Sequence, residues 1–193
     1  MRIRIVVVFL AALALPCAAA EVTFRTGALD PPGPAPEFTL RSDTGKTVRL
    51  RDWRGNVVLV YFGYTSCPDV CPTTLSDLAA VKKQLGPPAE RLRVALVTVD
   101  PERDTATRLH TYVRAFDPTF VGLTERKAAL TAVWKAYGVY VQSYRMPGSS
   151  DGYVVDHSAT TFVIDATGQL RLAISFGTPV VDIRHDLQLL LPR

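Results

Sequence analysis

Two cysteines, Cys67 and Cys71, stand four residues apart in the segment FGYTSCPDVCP, residues 62–72. An apolar run of strand length (57–63) precedes them, and a stretch with helical spacing (73–85) follows. In open α/β sheets, sites gather where strands feed helices. A helix N-terminus also favours the thiolate, the form that binds metals and exchanges disulfides. Three chemistries compete for such a pair. A structural disulfide would close a short loop worth about 2 kcal/mol. It would also be strained, because side chains four apart on a helix hold their Cβ atoms about 5–6 Å apart and a disulfide wants about 3.8 Å. A redox-active dithiol is the second reading, although the usual spacing has two intervening residues and this chain has three, Pro68, Asp69 and Val70. The third is a metal site, since two thiolates on one ion sit about 4 Å apart, within reach by side-chain rotation.

A metal site asks for a further ligand, and the chain has three histidines. His110 and His185 fall inside amphipathic helical stretches, where solvated or capping roles are expected. His157 falls in Val154-Val155-Asp156-His157-Ser158, read as a loop before a strand at 160–164, with Asp156 placed to orient the ring. The competing role for His157 is a loop histidine bonded to backbone. Two thiolates and one imidazole form a soft set that suits copper and also zinc. Zinc usually completes a tetrahedron. No convincing fourth ligand is visible, so a three-coordinate copper site is favoured, carrying Cu(I), Cu(II) or both. Met146 reads as packing.

These residues must be positioned by a fold. The alternation of strand-like runs (57–63, 93–99, 139–144, 160–164, 170–176) with helical stretches (73–85, 105–116, 124–137, 180–191) predicts an α/β layered domain with a mixed central sheet flanked by helices. Two short β-like runs, 38–41 and 47–50, surround the turn Ser42-Asp43-Thr44-Gly45 and predict an N-terminal β-hairpin extension. Residues 21–36, rich in Pro and Gly, read as an extended lead-in, and 37–193 as one domain. The chain has 193 residues, 48% hydrophobic and 21% charged, with a net charge of +4. That composition excludes disorder, collagen and coiled coil. No basic cluster interleaves with aromatics, so nucleic acid is not an expected partner.

Residues 1–20 have the form of a secretory signal peptide. Arg2 and Arg4 precede an apolar run at 5–15, Pro16 breaks it, and Ala18-Ala19-Ala20 fits a cleavage site. Eleven apolar residues are short for a span of about 20; a retained membrane anchor is the competing role. Cleavage would remove Cys17, leave Cys67 and Cys71, and place the protein in an exported compartment where disulfides persist.

Four segments together carry a resemblance: FGYTSCPDVCP, VTVDPERDT, AFDPTFVGLT and DHSATTFVID. They resemble the Sco/SenC family of copper-binding proteins over roughly residues 36–190. The resemblance implies a thioredoxin-like fold, copper ligation by Cys67, Cys71 and His157, and a role in assembling the copper centre of cytochrome c oxidase. The implied partners are the copper-bearing oxidase subunit and an upstream copper donor, in the periplasm of a bacterium, with membrane association through the N-terminus. Asp100 and Asp104 match the family's DPxRD loop, and helix capping is their expected role. The alternative function is a thiol–disulfide oxidoreductase, with Cys67 and Cys71 as the redox-active dithiol that reduces the target's cysteines. The opening at 34–40 is similar to that of peroxiredoxins. Thioredoxins and peroxiredoxins place a cis-proline facing the cysteines, whereas Ser158-Ala159-Thr160 has no proline and His157 stands beside it.

Overall fold

The computed structural model describes residues 23–145 and 152–192. The expectations for the signal segment 1–20, for Cys17 and for Met146 lie outside the described residues.

The chain begins with an edge strand, β1 (Ala28–Pro34), followed by the hairpin β2 (Thr39–Ser42) and β3 (Thr47–Arg49). The central strand β4 (Val57–Gly63) leads into α1 (Val70–Leu85), β5 (Leu92–Thr98), α2 (Ala106–Arg114) and β6 (Val121–Thr124). Next come α3 (Lys127–Ala136) and a separate hairpin, β7 (Val141–Arg145) and β8 (Tyr153–His157). The strands β9 (Thr160–Ile164) and β10 (Gln169–Ser175) and the helix α4 (Val180–Leu190) close the domain.

Eight strands form one mixed sheet in the order β1-β10-β9-β4-β5-β6-β2-β3. The β4-α1-β5 and β5-α2-β6 units pair their strands in parallel, and β9 and β10 run antiparallel to their neighbours. All seven residues of β4 are buried, as expected for a strand covered on both faces. Its side chains alternate between those faces. Tyr61 points to α1, its hydroxyl 3.5 Å from Cys71 Sγ. Phe62 points the other way, its ring 5.3 Å from that of Tyr137, just past α3, and 5.9 Å from that of Phe162. The apolar run in this strand is therefore core on both sides of the sheet.

The N-terminal hairpin is the predicted extension. Leu40 pairs with Val48, and β2 joins the sheet by pairing with β6. The Pro-rich β1 lies at the opposite edge against β10 with its side chains mostly exposed; an edge strand accommodates prolines because one side of its ladder faces outward.

Three local readings are corrected. Helix α1 starts at Val70, ahead of the 73–85 stretch, because Pro72 sits in the first turn, where a missing N–H breaks no helical bond. The helical stretch 124–137 begins only at Lys127, because Thr124 ends the short strand β6. His157 is not on a loop: it ends β8, paired in register with Val141 on β7.

Candidate metal centre

The cysteine loop leaves the buried end of β4. Gly63 has no side chain because there is no room for one. A Cβ there would lie 3.0 Å from Cys71 Sγ and 2.9 Å from the Tyr61 ring. The chain then turns, with the Cys67 N–H donating to the Tyr64 carbonyl at 3.3 Å. Cys67 lies half-buried just before α1, and Cys71 lies fully buried in the helix's first turn. The Cys71 N–H, one of the N-terminal donors that no helical carbonyl can satisfy, faces Cys67 Sγ at 3.4 Å.

The third donor arrives from 86 residues downstream: His157 Nε2 lies 3.4 Å from Cys71 Sγ. The other ring nitrogen, Nδ1, is 3.0 Å from the Ser158 carbonyl oxygen. A carbonyl only accepts, so Nδ1 is the protonated nitrogen of the neutral ring and Nε2 is the nitrogen turned to the sulfurs. Asp156, expected to orient the ring, is exposed. Strand alternation puts it on the face opposite His157, and the Ser158 carbonyl does the orienting. The rings of Tyr64 and Tyr61 pack edge-on against the imidazole, at 5.8 and 6.3 Å between centroids.

Cys67 Sγ, Cys71 Sγ and one ring nitrogen of His157 all lie within 4.8 Å of one another. Two sulfurs each about 2.3 Å from one ion are at most about 4.6 Å apart, so the donors stand close to ligating distance. The two thiols are electrostatically distinct. The Cys67 thiol is lowered to about 4, chiefly by the hydrogen bond from the Cys71 thiol, against partial burial; the N–H groups of Asp69 and Cys71 add to the lowering. Cys71 is pushed up by holding that same proton and by burial. At neutral pH the pair is one thiolate and one thiol, and both cysteines are free of disulfide.

The other histidines are occupied elsewhere. His110 Nδ1 is 3.0 Å from the buried Asp43, and His185 Nδ1 is 2.8 Å from Asp186. Asp100 and Asp104 do not cap α2; Thr105 does, accepting the Arg108 N–H. Both aspartates are buried and brace the site. Asp104 takes hydrogen bonds from Thr65, in the cysteine loop, and from Thr98 at the end of β5. Burial is the largest influence on its carboxyl and raises its pKa. Asp100 accepts the Tyr153 hydroxyl at 2.6 Å and pairs with Arg103. The motif DPxRD was visible, but nothing in it showed that its partners would come from the cysteine loop and from β8.

Residues 29–191 match the SCO1/SenC family. The chain is 33% identical over 133 residues to a SCO2-like protein of Rickettsia felis, covering 69% of this chain and 65% of that protein. The chain thus spans just under two thirds of that relative's length. Its fold matches the apo Sco1 of Thermus thermophilus, with a TM-score of 0.78 and 41% identity over 90% of this chain and all of that one. It also matches Bradyrhizobium japonicum ScoI solved with copper bound, with a TM-score of 0.75 and 31% identity over 82% of this chain and all of that one.

Proposed function

The chain belongs to the SCO1/SenC family, and from that premise we propose that it is a copper chaperone that carries one copper ion on Cys67, Cys71 and His157. The observation that carries the reading is the meeting of two sulfurs and one imidazole nitrogen within 4.8 Å. The donor chemistry agrees: thiolates and imidazole make a soft set, suited to Cu(I). One sulfur is already ionised and Nε2 already faces the sulfurs, so the site asks little rearrangement of the ion's ligands.

Copper is cargo here, and the site has the features of one that gives its cargo up. Cys67 is half-exposed, so an incoming thiolate from a recipient can reach the ion beside it. Transfer proceeds by stepwise ligand exchange, each recipient ligand replacing one of these three with no net change of oxidation state. Family membership supports the copper-bearing subunit of cytochrome c oxidase as the recipient. The signal-like segment at 1–20 supports an exported, periplasmic setting for that transfer. Among the described residues no helix is long and apolar enough to cross a membrane.

The lowered Cys67 thiol favours a second reading, disulfide reduction in the recipient. The Cys67 thiolate would attack the target disulfide, and Cys71 would resolve the mixed disulfide, leaving Cys67–Cys71 oxidised and the target reduced.

Copper titration of reduced, oxygen-free protein separates the two. The chaperone reading expects one equivalent bound, and a loss of affinity in His157→Ala of at least about 100-fold, since even partners behind a ligand cost 10–100-fold. Unchanged affinity in that variant, with disulfide exchange intact, leaves only the reductase.

A further inference from the structure

His157 is carried on a hairpin that, among the described residues, pairs with no strand of the main sheet. Something other than a β-ladder must hold the imidazole over the sulfurs. The hairpin is rigid within itself, five residue pairs in register from Val141–His157 to Arg145–Tyr153. Tyr153 and His157 are the two ends of one strand, about 13 Å apart at the usual rise. Fixing the Tyr153 end therefore fixes where the His157 end points.

The Tyr153 end is fixed from the DPxRD loop. The Arg103 guanidinium lies 3.9 Å from the Tyr153 ring centroid, and its Nη1 donates to the Tyr153 carbonyl at 3.0 Å. Its Nε pairs with Asp100 Oδ2, and Asp100 Oδ1 accepts the Tyr153 hydroxyl at 2.6 Å. Tyr153 is thus held at ring, hydroxyl and main chain by two side chains that hold each other. The guanidinium also lies 5.6 Å from the ring of Tyr64. Tyr64 belongs to the cysteine loop, packs edge-on against His157 and accepts the Val155 N–H at 3.4 Å. These Arg103 contacts end on the hairpin, on Asp100 or on the loop that bears Cys67.

We infer that Arg103 is a positioning residue for copper retention: with Asp100 it clips Tyr153, and through β8 it aims His157 at the two sulfurs. The arrangement needs the planar guanidinium, which can stack on a ring and donate in two directions at once; an ammonium cannot do both. The clip makes the imidazole the ligand whose hold is adjustable, while Cys71 stays anchored in α1 and the Cys67 loop is moored through Asp104 to the end of β5. Releasing the clip loosens one ligand of three and leaves the thiolates in place. The inference rests on the copper-carrying reading above.

The test is a double-mutant cycle on Cu(I) retention, read by competition with a chelator on reduced, oxygen-free protein. Arg103→Ala is expected to raise the copper off-rate about tenfold, as removal of partners behind a ligand does. In a His157→Ala background it should add nothing, because its effect passes through the ring. Arg103→Lys should lose as much as Arg103→Ala. Tyr153→Phe keeps the stacked ring and loses the hydroxyl, so it should fall between wild type and Arg103→Ala; it also serves if Arg103→Ala does not fold. An Arg103 or Tyr153 effect of equal size with and without His157, or no effect on retention in either variant, overturns the inference. Failure of His157→Ala to weaken copper would instead overturn the copper site itself, so the two failures are distinguishable.

Discussion

Asp104 holds Thr65 twice, accepting its backbone N–H at 3.2 Å and its hydroxyl at 2.6 Å. The Thr98 hydroxyl donates to the same carboxylate at 2.7 Å. The loop that presents Cys67 is therefore moored to the end of β5 through one buried side chain, 1% exposed. Asp104→Ala leaves three donors without this acceptor, the fully buried Thr98 hydroxyl among them. It should cost about 3 kcal/mol of stability by urea denaturation, while Thr98→Val, which removes one of these donors and also the acceptor of the buried Asp100 N–H, should cost about 2 kcal/mol.

The two thiols should part in reactivity. The Cys67 pKa is lowered to about 4 and that of Cys71 is raised. Cys67 is then thiolate throughout the neutral range, and its alkylation rate should be flat from about pH 6 to 8 and fall only as pH drops towards 4. An ordinary thiol would instead gain rate up to about pH 8.5. Cys71 should be modified only after unfolding. The same lowered value links pH to stability. Between about 4 and the unfolded thiol value the unfolded chain binds one proton more at Cys67 than the folded chain does. That contribution is fully present above the unfolded thiol value, shrinks as pH falls through the neutral range and is gone by about 4. Stability of Cys67→Ser should lack this slope.

Copper loading should release few protons. With Cys67 already ionised, Cys71 is the one thiol that must give up its proton. Titration of reduced protein in weakly buffered solution at pH 7 should therefore release about one proton per Cu(I), where two ordinary thiols would release about two.

Gly63 makes room for the buried sulfur. A methyl group there would meet the Tyr61 ring at 2.9 Å, Cys71 Sγ at 3.0 Å and Leu96 at 3.2 Å. Gly63→Ala should destabilise by about 1–3 kcal/mol and weaken copper binding by moving Cys71, whereas Gly33→Ala, with open space around it, should leave copper binding alone.

Local pattern explains why some of this was readable from the residues and some was not. The runs 57–63 and 160–164 read as strands because their apolar character and length leave few alternatives, and β4 and β9 have those bounds. The ligand candidates were readable because cysteine, cysteine and histidine are scarce here and chemically distinctive. The strand β8 was not: Val154-Val155-Asp156-His157 is too short to declare a period, and it becomes a strand only by pairing with β7. Misreading it as a loop also misplaced Asp156, since only in a strand do neighbours face opposite sides. The bracing by Asp100, Arg103 and Asp104 was unreadable for a different reason. Its partners, Thr65 and Tyr153, lie 39 and 50 residues away in the chain, and no local spacing announces a contact that the fold alone creates.

X-ray absorption at the copper edge tests the central claim most directly, on reduced protein loaded with one equivalent of Cu(I). The account predicts two sulfur scatterers and one imidazole nitrogen in wild type, with the nitrogen lost in His157→Ala and both sulfurs retained. Identical spectra from the two proteins would contradict it, because the ion would then be held without the imidazole that faces Cys71.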